Sequence, residues 1–152
     1  MLIFASNLWP ARLLLLLNSF VLFAGCDSGP TNPKTYPVSG ELFVKGEPAA
    51  GARLILHPEG ADLSRWPRGF PTAVVEPDGK FQFSCFAEND GAPEGSYKLL
   101  ASWLEGDGIP NEDPAVPPPT NRLDPVYLDP ARSPWSVKVE PKPNQLTRFE
   151  VP

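Results

Sequence analysis

A chain of 152 residues with 13 basic and 18 acidic side chains carries a net charge of −5, and its lysines and arginines never run to three in a row. Nucleic acid is excluded as a partner, because binding it needs a basic face that displaces counterions from phosphates. The length suits one domain with a modest core rather than two.

Arg12 precedes an apolar stretch from Leu13 to Gly25 that includes Asn18 and Ser19. Its 13 residues fall short of the ~20 that a helix needs to cross a bilayer, so it reads as the hydrophobic part of an export signal. The stretch closes on Leu22-Phe23-Ala24-Gly25-Cys26, which resembles the lipobox of bacterial lipoprotein signal peptides. That resemblance implies cleavage before Cys26, acylation of its thiol, and a chain exported and held on a lipid tether. Residues 1–25 are then the signal peptide, and the partner is a membrane, reached through lipid on Cys26. Acyl chains have to number more than one for stable anchoring. The expected location is the cell membrane or outer membrane, facing the periplasm or the cell exterior. Asp27 resembles the inner-membrane retention signal of some bacterial lipoproteins. The alternative is a plain secretory signal cut near Ala24 or Gly25, which leaves Cys26 a free thiol. Without Arg12, 12 basic residues face 18 acidic ones, a net charge of −6 that favours solubility and repels anionic headgroups.

Residues 26–36 are rich in Pro, Gly, Ser, Thr and Asn and read as a flexible tether. A domain over residues 37–152 follows, in which the apolar period becomes two. Val38–Val44 reads as a strand with Val38, Leu42 and Val44 on one face, and Lys45-Gly46-Glu47-Pro48 as its turn. Ala52–His57 is a second strand. Thr72–Glu76 and Lys80–Phe86 form a hairpin on Pro77-Asp78-Gly79, where proline presets φ and Asp and Gly tolerate the tight conformation after it. Cys85 alternates with Phe81 and Phe83, which places it toward the core as a small hydrophobe. Ser96–Trp103 is a fifth strand. The proline-rich segment 105–134 cannot join a ladder internally, although Leu123, Val126, Tyr127 and Leu128 are placed to pack down on the domain. Trp135–Glu140 and Gln145–Val151 complete about seven strands. The fold class is all-β, a single antiparallel Greek-key β-sandwich.

Tyr36-Pro37-Val38-Ser39-Gly40, followed by Val44-Lys45-Gly46-Glu47-Pro48-Ala49-Ala50-Gly51-Ala52, is similar to the opening of carboxypeptidase regulatory-like domains, which belong with the transthyretin-like, prealbumin-type β-sandwiches. Pro93-Glu94-Gly95-Ser96-Tyr97-Lys98-Leu99 resembles the start of a later strand in the same domains. Small bacterial predicted lipoproteins that pair a lipobox with one such domain look similar throughout, with Ser133-Pro134 and Asn144 in comparable places. The resemblance implies a scaffold and no chemistry. Within its first motif, Gly51 is expected to let the second strand start close to the first.

The function expected is that of an exported, lipid-anchored, non-catalytic module that binds or spaces something in the cell envelope, a protein or a glycan. Trp66 and Trp103, with the long loop, are the candidate interaction surface. No cofactor is implied. A transthyretin-like hydrolase needs histidines, an arginine and a terminal Tyr-Arg-Gly-Ser, whereas this chain has one histidine, His57, and ends in Phe149-Glu150-Val151-Pro152. One histidine is a poor basis for a zinc site or for activating Cys85. A glycosidase-like pair among Glu88, Asp90, Asp107, Glu112 and Asp113 is weighed against ordinary solvated loop carboxylates. A secreted calcium-binding domain is a further alternative. Its donors would come from Glu105–Asp113, whose oxygen ligands are of the right kind but do not follow EF-hand spacing.

Overall fold

A computed structural model describes residues 32–60, 66, 69–106 and 117–152. The expected signal peptide, Cys26, and Asp107, Glu112 and Asp113 of the acidic loop lie outside these residues. The described chain from Asn32 onward forms one compact unit.

Eleven short strands build it: β1 (Thr35–Tyr36), β2 (Val38–Val44), β3 (Glu47–Pro48), β4 (Arg53–Pro58), β5 (Thr72–Val74), β6 (Lys80–Gln82), β7 (Ala92–Pro93), β8 (Gly95–Ser102), β9 (Ser136–Val139), β10 (Asn144–Gln145) and β11 (Phe149–Val151). All seven expected strands are present, the last divided into β10 and β11 around Leu146-Thr147-Arg148. The extra strands are two-residue pairings. One of them, β1, takes Thr35 and Tyr36 out of the expected tether and pairs them with Pro93 and Ala92.

Two sheets face each other. One has the order β5-β4-β8-β9 and is antiparallel throughout. The other is centred on β2, which pairs antiparallel with β3 and β6 on one side. On its other side β2 runs parallel to β10 and β11, so this sheet is mixed where the sequence suggested antiparallel pairing alone. The pairing joins Leu42 to Phe149 and Val44 to Val151, partners that local sequence pattern does not reveal.

Alternation fills the space between the sheets. Val38, Leu42, Phe81 and Phe83 project from the β2 side against Leu54, Leu56, Tyr97 and Leu99 from the other, all at most 2% exposed. Burial of large apolar side chains on this scale contributes about 1.5–3 kcal/mol each. The proline-rich segment closes one flank. Leu123 is buried, and the Tyr127 ring packs tilted on Trp135 at 4.7 Å, which meets Phe149 at 5.2 Å. Phe149 lies 6.4 Å from Phe81, continuing the aromatic series into the core. Leu128 stays exposed, unlike its neighbours in the expected packing set. The buried Ser133 hydroxyl donates to the Leu99 carbonyl at 2.7 Å and pins the segment to β8. Asn144 braces the crossing from one sheet to the other, its Oδ1 accepting from Glu140 N–H at 3.0 Å.

Three sequence motifs acquire a mechanism. Lys45 and Gly46 have φ of 52° and 83°, the paired positive values of a two-residue hairpin turn between β2 and β3. Tyr97, in the Pro-x-Gly-x-Tyr motif, donates its hydroxyl to the Pro93 carbonyl four residues back at 2.8 Å, a tyrosine corner that fixes the start of β8. Gly51 has φ of 81° with open space where a Cβ would sit, so backbone handedness, not close strand approach, accounts for it.

Candidate functional site

The sandwich has two poles. At one lie β1, β7 and the start of β8; at the other lie the end of β8, the start of β4 and the β2–β3 turn. Seven strand steps from Gly95 to Ser102 separate them by roughly 23 Å.

Cross-strand register at the second pole places Arg53 of β4 opposite Ser102 of β8, both on the outer face. Trp103 follows directly and is held from three sides. Its N–H donates to Asn121 Oδ1 at 2.9 Å, and its indole Nε1–H donates to the Ala50 carbonyl at 3.0 Å. The Arg122 guanidinium covers the ring at 4.8 Å, a cation–π contact. The returning segment is tied down as well, since Arg122 N–H donates to the Trp103 carbonyl at 2.7 Å. A pocket of about 250 Å³ opens here, lined by Arg53, Ser102, Trp103 and Arg122. Among the described residues no carboxylate forms an ion pair with Arg53 or Arg122.

Arg53 and Ser102 also line a second, larger groove of about 690 Å³ that continues across the outer face toward β5 and β6. Its origin lies in the hairpin. The Pro77-Asp78-Gly79 turn forms as expected, with Asp78 Oδ1 accepting from Lys80 N–H at 3.0 Å, while Lys80 beside it holds the Asp78 carboxyl below its ordinary value. Thr72 and Ser84 exchange backbone bonds at 2.9 and 2.8 Å, and Glu76 N–H donates to the Lys80 carbonyl at 2.7 Å. Between them, Val74 and Gln82 form no ladder pair among the described residues, because β5 is drawn to β4 and β6 to β2. The hairpin therefore straddles both sheets and opens at its middle. Val74 is 58% exposed on the groove floor, and Thr72, Gln82, Ser84 and Asn89 supply hydroxyls and amides around it. Glu76 and Glu88 line the same groove.

The other sequence candidates fall elsewhere. Trp66 lies at the first pole, edge-on to Phe70 at 5.8 Å and to Tyr97 at 6.3 Å. It is half-buried, and the structure does not bring it into one patch with Trp103. Strand geometry explains the separation, since the two flank opposite ends of the β4–β8 pair. His57 packs edge-on to Phe70 at 4.9 Å as an ordinary structural side chain. Cys85 does not continue the inward alternation of Phe81 and Phe83. The Asp90 carboxylate accepts from the N–H groups of Cys85 and Phe86 at 2.7 and 3.1 Å, bending the chain out of the strand and leaving the thiol half-buried. Partial burial, reinforced by the Asp90 charge, pushes the thiol up to about 12, so it stays protonated and unreactive near neutrality. Asp90 is thus occupied with backbone. Among the described residues no group of three or more His, Cys, Asp or Glu side chains is placed to hold a metal ion.

Sequence reasoning singled out Trp103 but not Arg53, Ser102 or Arg122. Arg53 carried a faint signal as an outward position beside Leu54. Arg122 carried none, because its place depends on a return segment 18 residues downstream of Leu104.

No protein-family model and no curated protein sequence matches the chain. Among solved structures it is similar to the major pilin subunit of Bacillus cereus, at 16% identity and TM-score 0.43 over 77% of this chain and 29% of that one. It is similar to a 9R-lipoxygenase from Cyanothece at 14% identity and TM-score 0.43, over 78% of this chain and 17% of the other. A putative carbohydrate binding protein from Pseudomonas aeruginosa matches at 12% identity and TM-score 0.41, over 79% of this chain and 90% of the other. The chain thus spans less than a third of the pilin subunit and of the lipoxygenase. These are distant likenesses, and they assign no family.

Proposed function

We propose that the protein is an exported, lipid-anchored, non-catalytic binding module of the bacterial cell envelope, built on a carboxypeptidase regulatory-like sandwich. The observation that carries this reading is the polarity of the domain. Its described chain enters through β1 at one pole, while the Arg53–Trp103–Arg122 pocket opens at the other. Only five residues separate Cys26 from Asn32, six steps along the chain. A domain held by acyl chains on Cys26 would be attached through its β1 pole, the pole without the cleft. The motif at residues 22–26 and the strand motifs around Gly46, Gly51 and Tyr97 support the same reading.

Its test is the intact mass of the mature protein from the membrane fraction, beside a Cys26→Ala variant. The expected result is a mass for cleavage before Cys26 plus acyl chains, lost in the variant together with membrane retention. An unlipidated mass, or protein recovered in the soluble exported fraction, overturns the anchored reading in favour of a secreted domain.

A further inference from the structure

We infer that the cleft over the outer face of β4, β5 and β8 binds an acidic oligosaccharide, with Arg53 and Arg122 gripping a carboxylate and the groove beside them holding sugar hydroxyls. This rests on the binding-module reading above and names the ligand class. The cations come first. The exported part of the chain is acidic, yet two guanidiniums from distant segments meet at one pocket without a carboxylate partner among the described residues. A guanidinium presents a planar fork of donors matched to a carboxylate, and such charge-assisted bonds are about twice as strong as neutral ones.

The surroundings select a saccharide over a peptide. Adjoining the pocket across Arg53 and Ser102, the groove offers Thr72, Ser84, Gln82 and Asn89, donors and acceptors of the kind that pair with hydroxyl groups. Its lining carboxylates, Glu76 and Glu88, leave the acid group of the ligand to the arginine pocket. At about 690 Å³ it is in the size range of small-molecule sites. An extended peptide would need a free strand edge. The only opening in the β5–β6 ladder is the single Val74–Gln82 pair, closed above by Thr72–Ser84 and below by Glu76–Lys80. The flanking indole of Trp103 is fixed by its bond to Ala50, which gives the pocket a rigid apolar wall. Rigid walls keep the ordering cost of binding low.

The experiment is calorimetric titration of the full chain in detergent with trigalacturonate, maltotriose and triglutamate. Saturable binding of trigalacturonate is expected, weakened ~10-fold by Arg53→Gln or Arg122→Gln and unchanged by Lys142→Gln. Thermal melts of each variant verify folding, and Arg53→Lys, which keeps the charge but loses the fork, is expected to fall between. Equal binding of maltotriose, tighter binding of triglutamate, or indifference to both arginine variants overturns the inference. So does the absence of saturable binding of trigalacturonate up to ~10 mM. Lipidation is read by mass on the same preparation, so failure of the anchor and failure of the cleft are separate results.

Discussion

Cys85 and Tyr97 show how single groups set the chemistry of their surroundings. The thiol is pushed up to about 12 from an ordinary 9.0, and burial pushes the Tyr97 hydroxyl up to about 12 from 10.0. Both groups keep their protons longer in the folded chain than in the unfolded one. Between the two values of each, the unfolded state binds fewer protons than the native state, so stability falls as pH rises. Denaturant midpoints are therefore expected to show no contribution from these groups up to about pH 8.5 and a decline from about pH 9 upward. Cys85→Ala should remove the earlier part of the decline and leave the part that begins near pH 10; an unchanged profile in that variant would contradict the assignment. Alternation along Phe81-Gln82-Phe83-Ser84-Cys85 was visible in the sequence, and it placed Phe81 and Phe83 correctly. It misplaced Cys85, because the capture of two backbone N–H groups by Asp90 is a turn interaction that period-two patterning does not encode.

Among the elements, the β5–β6 hairpin separates what was legible from what was not. Its turn could be read from Pro77-Asp78-Gly79, since each residue type answers a local backbone requirement. Its opening at Val74 and Gln82 could not, because it arises from β2 and β4, which compete for the two strands from opposite sheets. The turn also does more than reverse the chain. Gly79 has φ of 89°, and a Cβ there would lie 2.7 Å from the Phe43 ring. Gly46 has φ of 83° with nothing near. Replacing either by alanine costs about 1–2 kcal/mol for the left-handed backbone. Gly79→Ala carries the displacement of Phe43 in addition, so its denaturant midpoint should fall further than that of Gly46→Ala. Equal losses would show that the hairpin tip does not bear on β2. The candidate cleft follows the same division: Trp103 was legible as a residue type, whereas its meeting with Arg53 and Arg122 is set by long-range register.

For the whole molecule, the seven-strand sandwich was legible from alternation and turn chemistry, and the mixed pairing around β2 was not. The C-terminal strand looked like any other, with nothing to say that it would lie parallel to the first long one. That pairing is nonetheless central. Val151 is buried, Phe149 joins the aromatic series through Trp135 and Phe81, and Leu146 N–H donates to the Ser39 carbonyl at 2.8 Å. Ending the chain at Pro143 strips one whole side of β2 and exposes the core at Leu42. In a domain this small, with total stability on the order of 5–15 kcal/mol, such a loss removes the cooperative unfolding transition. Near-ultraviolet circular dichroism and a thermal scan of that truncation should show no native signal; a cooperative melt would mean that β2 is held from its other side alone.

The parallel closure of β2 also fixes when this protein can become solid. β2 is made around residue 40 and finds β3 and β6 early, but the partners for its other side arrive only with residues 144–151. Contacts this distant along the chain form late and slowly. A polypeptide released N-terminus first, from a ribosome or through a membrane, lacks the parallel pairs of β2 until residues 144–151 are free. The fold thus carries its own delay, and sets only after β10 and β11 have passed.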